Sequence, residues 1–228
     1  MRELAIGDIH GCLAAFERLL AEIQLQPEDT LVLLGDYVDR GPDSCRVLDL
    51  ILELARTCTV VPLLGNHEQM MLGARQDPLA EADWLRYGGD KTLVSYERAG
   101  FPPGIDGVPA RHWALLEWQC FNYWEAEREI YVHAFLDPYL EMAEQPGFLL
   151  FWERFHQGTV HKSGKRIICG HASQKPGLPV VFEHGVCIDT YAHGGGWLTC
   201  FEPATNRFIQ TRQQSGEVRR FEVGGFPE

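Results

Sequence analysis

Three short apolar runs in the first third of the chain end in the same way. Leu4-Ala5-Ile6 leads into Gly7-Asp8-Ile9-His10-Gly11, and Leu31 to Leu34 leads into Gly35-Asp36-Tyr37-Val38-Asp39-Arg40-Gly41. Val60 to Leu64 leads into Gly65-Asn66-His67-Glu68. A short apolar run bounded by a turn signal reads as a buried strand. Between the runs, Leu13, Phe16, Leu20 and Ile23 fall on one face at helical spacing, as do Val47, Leu48, Ile51 and Leu54. Pro42 is expected to open the second of these helices, at a position where proline is tolerated. Asn66 to Gly73 starts a third. Residues 1–75 therefore read as β-α-β-α-β-α, the pattern of a parallel sheet with covered faces. The polar clusters lie just past the carboxyl ends of the strands, where open α/β sheets place their ligand sites.

From about Asp77 to Arg128 the pattern changes. Trp84, Leu85, Tyr87, Trp113, Leu116, Trp118, Phe121, Tyr123 and Trp124 make this stretch aromatic, with breaks at Gly88-Gly89 and Pro102-Pro103-Gly104. It reads as a mostly helical insertion packed over or beside the site, within a single domain spanning residues 1–228. Most of its aromatics are expected in the core, and Trp84 to Gly89 is the segment expected to approach a substrate. The sheet then resumes: Glu129 to Val132 leads to His133, and Arg166 to Gly170 leads to His171. Pro179–Phe182, Val186–Ile188, Trp197–Phe201 and Phe208–Thr211 predict an antiparallel meander that forms a second sheet. The last few residues are expected to be loose.

Composition narrows the function classes. The net charge of −12 excludes bulk binding to nucleic acid or to an anionic membrane, which requires a basic surface. A small pocket made positive by metal ions remains compatible with that charge. Seven cysteines, odd in number and without a C-x-x-C pair, predict free thiols in a reducing compartment, the cytoplasm. Cys12 follows the first ligand cluster and reads as a packed thiol. No signal peptide is expected, because the first candidate ligand comes at residue 8. No apolar run is long enough to span a bilayer.

Five strand ends carry Asp8, His10, Asp36, Asn66, His67, His133 and His171. One strand-end histidine would read as structural; five strand ends behaving alike do not. Mixed carboxylate, amide and imidazole ligands suit Mn, Fe or Zn better than Ca or Mg. There are more ligands than one ion needs, and two divalent ions roughly 3.5–4 Å apart, bridged by one carboxylate, would use them all.

The three signature segments resemble those of the phosphoprotein phosphatase (PPP) family of serine/threonine phosphatases, especially its compact bacterial and lambda-phage members, within the calcineurin-like metallophosphoesterases. The resemblance resumes at Val132-His133-Ala134, Gly170-His171 and Ile188-Asp189-Thr190, and so covers nearly the whole chain. It implies an α/β fold, a two-sheet β-sandwich flanked by helices. It further implies Asp8, His10 and Asp36 on a first metal, and Asp36, Asn66, His133 and His171 on a second, with Asp36 bridging. A water or hydroxide shared by the ions would attack phosphorus in line. His67 would protonate the leaving alkoxide, with Asp39 orienting its ring. Arg40 would fork onto the phosphate oxygens beside Asn66, and Arg154, in Leu149 to Arg154, is the candidate for the family's second phosphate-binding arginine.

Other residues read differently. Glu68 is expected to cap or brace the following helix. His112, His156, His161, His184 and His193 match no ligand position and read as surface or core histidines. Phe135, Ala172-Ser173 and Tyr191 depart from the family pattern around the pocket, which bears on substrate preference and removes no ligand. The implied substrate is a phosphorylated protein or peptide. The rival is a symmetrical diadenosine tetraphosphatase, acting on a nucleotide polyphosphate. Those relatives tend to have Asp after Gly-Asn-His and to lack the Val-Asp-Arg-Gly run, so Glu68 and Val38 to Gly41 favour the protein phosphatase. A metal-stabilised binding module without turnover is a third reading, against which the intact acid, its carboxylate and Arg40 argue.

Overall fold

Alternation along β1 (Glu3–Ile6) sorts its side chains into two cores: Ala5 faces a second sheet, while Leu4 and Ile6 face helices. This holds in a computed structural model that describes residues 1–222. α1 (Leu13–Ile23) follows, then β2 (Thr30–Leu33), α2 (Ser44–Leu54) and β3 (Thr59–Pro62). The three strands pair in parallel, with Ala5 opposite Val32 and Val32 opposite Val61. Phe16, Leu19, Val47, Leu48 and Ile51 of the two helices bury against Leu4, Ile6, Leu31 and Leu33. Pro62 is tolerated because β3 is an edge strand. α2 begins at Ser44, two residues after Pro42. The intervening Asp43 donates its amide to Gly11 O at 3.0 Å, which ties this loop to the first ligand loop before the helix can start.

α3 (Asn66–Ala74), α4 (Pro78–Trp84), α5 (Asp90–Arg98) and α6 (Ala110–Ala114) come next, with wide helical turns at Leu85–Gly89 and Leu115–Gln119. The 77–128 stretch is thus mostly helical through residue 119, with a break between Arg98 and Ala110. Its end is not: β4 (Tyr123–Glu125) pairs antiparallel with β5 (Glu129–Val132), Tyr123 opposite Val132. α7 (Gly147–Trp152) and β6 (Arg166–Cys169) follow.

The expected meander is divided between two sheets. β7 (Val180–Phe182) and β8 (Gly185–Cys187) form a hairpin, and β8 joins β6 in parallel in a five-stranded sheet ordered β4-β5-β6-β8-β7. β9 (Leu198–Glu202) instead pairs antiparallel with the free edge of β1, Ala5 opposite Phe201. β10 (Arg207–Thr211) and β11 (Val218–Glu222) extend that sheet to six strands, β11-β10-β9-β1-β2-β3. The unfilled edge of β1 accounts for the switch, since an open row of amides and carbonyls is a template for pairing. β11 was not expected, because Val-Arg-Arg-Phe-Glu lacks an apolar face. Ala5, Val32, Val61, Tyr131, Ile168, Val186, Phe201 and Phe208 fill the space between the sheets. The result is the helix-sheet-sheet-helix layering expected. The expectation for the final residues lies outside the described residues.

Candidate active site

The ligand loops are built on strained backbone. His10, Asp36, Asp39, Arg40 and His171 all adopt positive φ, at 44°, 53°, 71°, 66° and 61°. Non-glycine residues rarely do so, at about 1–3 kcal/mol each, and such strain clusters at functional sites. Glu68 holds the β2 loop in place. Its Oε2 accepts the amides of Asp36 (2.7 Å) and Gly65 (2.9 Å), and its Oε1 those of Tyr37 (2.7 Å) and Val38 (3.2 Å). The Gly65 bond braces the start of α3, as expected. The other three weld that helix to the turn carrying Asp36. Gly65 itself must lack a side chain, because a Cβ would run into the carboxylate and amide of Asp36.

Asp36 is buried at the centre. Its Oδ2 lies 3.3 Å from His10 Nε2 and its Oδ1 lies 3.5 Å from His133 Nε2, the placement of a bridging carboxylate. His10 Nδ1 meets Val38 O at 2.8 Å and His133 Nδ1 meets Leu34 O at 2.7 Å. A carbonyl can only accept, so each Nδ1 carries the proton and each Nε2 presents a lone pair to the centre. Asn66 Oδ1 stands 3.0 Å from His133 Nε2 and 3.1 Å from His171 Nδ1. Acceptors converging on one point are what a shared cation resolves, so the donor set fits a metal.

Ligand atoms within 4.8 Å of one another fall into two groups that share Asp36: His10–Asp36–His67 and Asp36–His133–His171. Asn66 Oδ1 lies beside the second, so the four residues expected at one metal are brought together there. Asp8 belongs to neither group; its buried carboxylate is turned toward the His171 amide, with both oxygens at 3.1 Å.

Electrostatics match this division. Burial opposes the charge of Asp36, but the imidazoles of His133, His67 and His10 outweigh it and hold the carboxyl well below its usual range. Burial, reinforced by Asp189 and Asp36, pushes Asp8 well above it. Burial lowers His133, and burial with His133 alongside takes His171 down to about 4, keeping both rings in the neutral, ligating form.

His67 is set apart from the ligands by its partner. Its Nδ1 lies 2.7 Å from Asp39 Oδ2, and Asp39 is completely buried. Trp84 Nε1 donates to both Asp39 oxygens, at 3.0 and 2.8 Å, and Thr92 Oγ1 donates to Oδ1 at 2.8 Å. Burial acts to lower His67, yet Asp36 and Asp39 raise it above its ordinary value. The segment expected to approach a substrate thus supports the Asp39–His67 pair instead. Arg40 is exposed, with Nη1 2.9 Å from His10 Nε2. Its amide donates to Gly88 O at 3.2 Å, so the insertion also sets its position. Trp84 and Gly88 were singled out only as part of a segment expected near a substrate, and Thr92 had no signal in the sequence. Arg154 is exposed, two residues beyond Trp152. Its amide bonds the Glu153 carboxylate.

The calcineurin-like phosphoesterase model matches residues 1–194. The chain belongs to that family. Among curated relatives it is 44% identical over 86 residues to serine/threonine-protein phosphatase 1 of Salmonella typhimurium, covering 37% of this chain and 38% of that protein. It is 53% identical over 70 residues to a symmetrical bis(5'-nucleosyl)-tetraphosphatase of an Acidovorax species, covering 30% and 24%. It is 36% identical over 141 residues to the enzyme of that name from Chromohalobacter salexigens, covering 51% and 48%. The chain therefore spans less than half the length of these relatives. In fold it is similar to a cold-active protein-tyrosine phosphatase of a Shewanella species, with TM-score 0.69 and 19% identity over 96% of this chain and 80% of that one. A Saccharomyces cerevisiae protein serine/threonine phosphatase is also similar, with TM-score 0.58 and 17% identity over 100% and 82%. Calcineurin-like phosphoesterases use a dinuclear divalent metal centre, and the two groups of donors around Asp36 could hold one.

Proposed function

We propose that the chain is a protein serine/threonine phosphatase, a phosphomonoesterase acting on phosphorylated protein or peptide in the cytoplasm. The observation that carries this reading is the buried Asp39–His67 pair, 2.7 Å apart. An alkoxide leaving group as basic as that of serine needs a proton, and an imidazole held by a carboxylate supplies one. His10, Asp36, Asn66, His133 and His171 would hold two divalent ions, with Asp8 completing the first site. Manganese is the ion proposed, with iron and zinc as alternatives, on the mixed donor set. When bound, such a pair supplies charge neutralisation at the phosphoryl group and an activated water. The protein's own part is threefold. Arg40 and Asn66 bind phosphoryl oxygens, with Arg154 as the second arginine. His67 Nε2–H is delivered to the leaving oxygen, and Asp39 fixes the ring that carries it.

A symmetrical dinucleoside tetraphosphatase is the second reading, favoured by the names of several matched relatives. Side-by-side turnover of a phosphoserine peptide, p-nitrophenyl phosphate and diadenosine tetraphosphate, with metal content measured, separates the two. The protein phosphatase reading expects the peptide to give the higher kcat/KM. Preference for the dinucleotide by tenfold or more would overturn it.

A further inference from the structure

The crossing between the two sheets, residues 188–197, places a third imidazole over the ligand loop of β1. His193 packs edge-on against His10, ring centres 4.7 Å apart at 83°. His67 meets His10 in the same manner, at 4.7 Å and 85°. His10 therefore lies between the proposed acid and a histidine that matches no ligand position.

This loop is held firmly. Gly196 donates to Tyr191 O and Trp197 to Thr190 O, both at 2.9 Å, and the Tyr191 amide donates to Asp189 Oδ1 at 3.0 Å. Tyr191 adopts a φ of 66°, which turns its ring back onto His193 at 4.8 Å. Gly194 leaves room for that ring, since a Cβ there would strike it. The arrangement presses His193 against His10. Its charged surroundings come from three elements: His10 after β1, Asp36 and Arg40 after β2, and His67 on α3. Its Nδ1 is buried and has no hydrogen-bond partner among the described residues. A buried ring nitrogen is ordinarily paired, so an unpaired one packed against His10 calls for a ligand. His193 is not in either group of ligand atoms around Asp36, which points to a role toward the substrate rather than the metal.

We propose that His193 is a substrate-contacting residue that donates a hydrogen bond to a phosphoryl oxygen alongside Arg40. The proposal rests on phosphoester hydrolysis, common to both readings above, and not on the choice between them. It also gives Tyr191 a function, as the buttress that sets the imidazole.

The test compares wild type, His193→Phe and His193→Gln, each loaded with manganese. Phenylalanine keeps the ring contacts to His10 and Tyr191 and removes both nitrogens; glutamine returns a donor. Calorimetric titration of inorganic phosphate reads binding without turnover, and mass spectrometry counts the metal. His193→Phe is expected to weaken phosphate binding and raise KM for p-nitrophenyl phosphate about tenfold, the loss of about 1.4 kcal/mol. Its kcat stays within about threefold and its metal count is unchanged. His193→Gln is expected to recover most of the loss. Phosphate affinity within twofold of wild type in His193→Phe would overturn the proposal. So would loss of a metal ion in step with affinity, which would make His193 a support for His10. If phenylalanine is not tolerated, His193→Ala in this partly exposed turn gives the same comparison. Wild type that binds metal but no phosphate would count against phosphoester hydrolysis itself.

Discussion

Asp39 accepts hydrogen bonds from three side chains, and the shortest comes from the His67 ring, 2.7 Å away. With Trp84 and Thr92 occupying its remaining lone pairs, the carboxylate has no freedom to leave the imidazole. His67→Asn is expected to lower kcat on a phosphoserine peptide by about 10²–10⁴, the range of general acid catalysis. The loss on p-nitrophenyl phosphate should be smaller, because its leaving group departs without a proton. Metal content should be unchanged. Full activity on phosphoserine would remove His67 from the chemistry.

The pH profile follows from the same pair. Asp36 and Asp39 raise His67 above its ordinary value against the effect of burial. The proton it donates is therefore present below that raised pKa and is lost as pH rises through it. Asp39→Asn is expected to move the alkaline limb of kcat to lower pH as well as to reduce kcat. A limb that does not move would show that Asp39 does not tune the acid.

Gly88 offers a test of how the insertion positions Arg40. At a φ of 113°, a Cβ here would meet Arg40 N at 2.8 Å and its Cγ at 2.9 Å. Gly88→Ala should displace the arginine and raise KM severalfold while leaving the metal count and kcat nearly intact. A KM equal to that of wild type would show that Arg40 reaches phosphate regardless of this support.

Asp36 is placed to serve both ligand groups, so Asp36→Asn is expected to abolish tight binding of two ions and activity together. Retention of one ion per chain with wild-type affinity would argue against a bridging role.

The ligand loops were legible because each places several chemically committed residues directly after an apolar run, and the turn chemistry is local. Asp36, Asn66, His133 and His171 converge, as the family resemblance implied. What could not be read was long-range. Trp84 holds Asp39 across 45 positions, and its indole looks in sequence like any core aromatic. Whether β9 would follow β8 or cross to β1 depends on which edge is vacant, a property of the assembled sheets rather than of either strand. His193 was read as a surface or core histidine for the same reason, since only that crossing brings it to His10. Glu68 was read half correctly: its bond to Gly65 is local, but those to Asp36, Tyr37 and Val38 span some thirty residues.

That brace makes a stability prediction. In Glu68→Gln one oxygen becomes an NH₂ group facing backbone amides that can only donate. Two buried amides are left unpaired, at about 1–3 kcal/mol each. Thermal unfolding should fall accordingly, and manganese affinity should weaken because the Asp36 turn is released. Unchanged melting and unchanged metal affinity would show that α3 and the β2 loop hold each other by packing alone.

Asp29 tests the opposite end of the sheet. Burial disfavours its charge, but Arg2, together with the amides of Gln26 and Arg2, takes its carboxyl down to about 2. Its Oδ1 accepts the Arg2 amide at 2.9 Å and its Oδ2 that of Gln26 at 2.9 Å, which joins the start of β1 to the turn before β2. An unfolded aspartate titrates near 3.9, so the folded state binds the proton less readily. The stabilisation is complete above about 4 and is lost as pH falls toward 2. Asp29→Asn should therefore melt below wild type at neutral pH, with the gap closing as the pH is lowered through this window. A gap that stays constant down to pH 2 would mean that Asp29 contributes through shape and neutral hydrogen bonding, with its charge irrelevant to holding β1 beside β2.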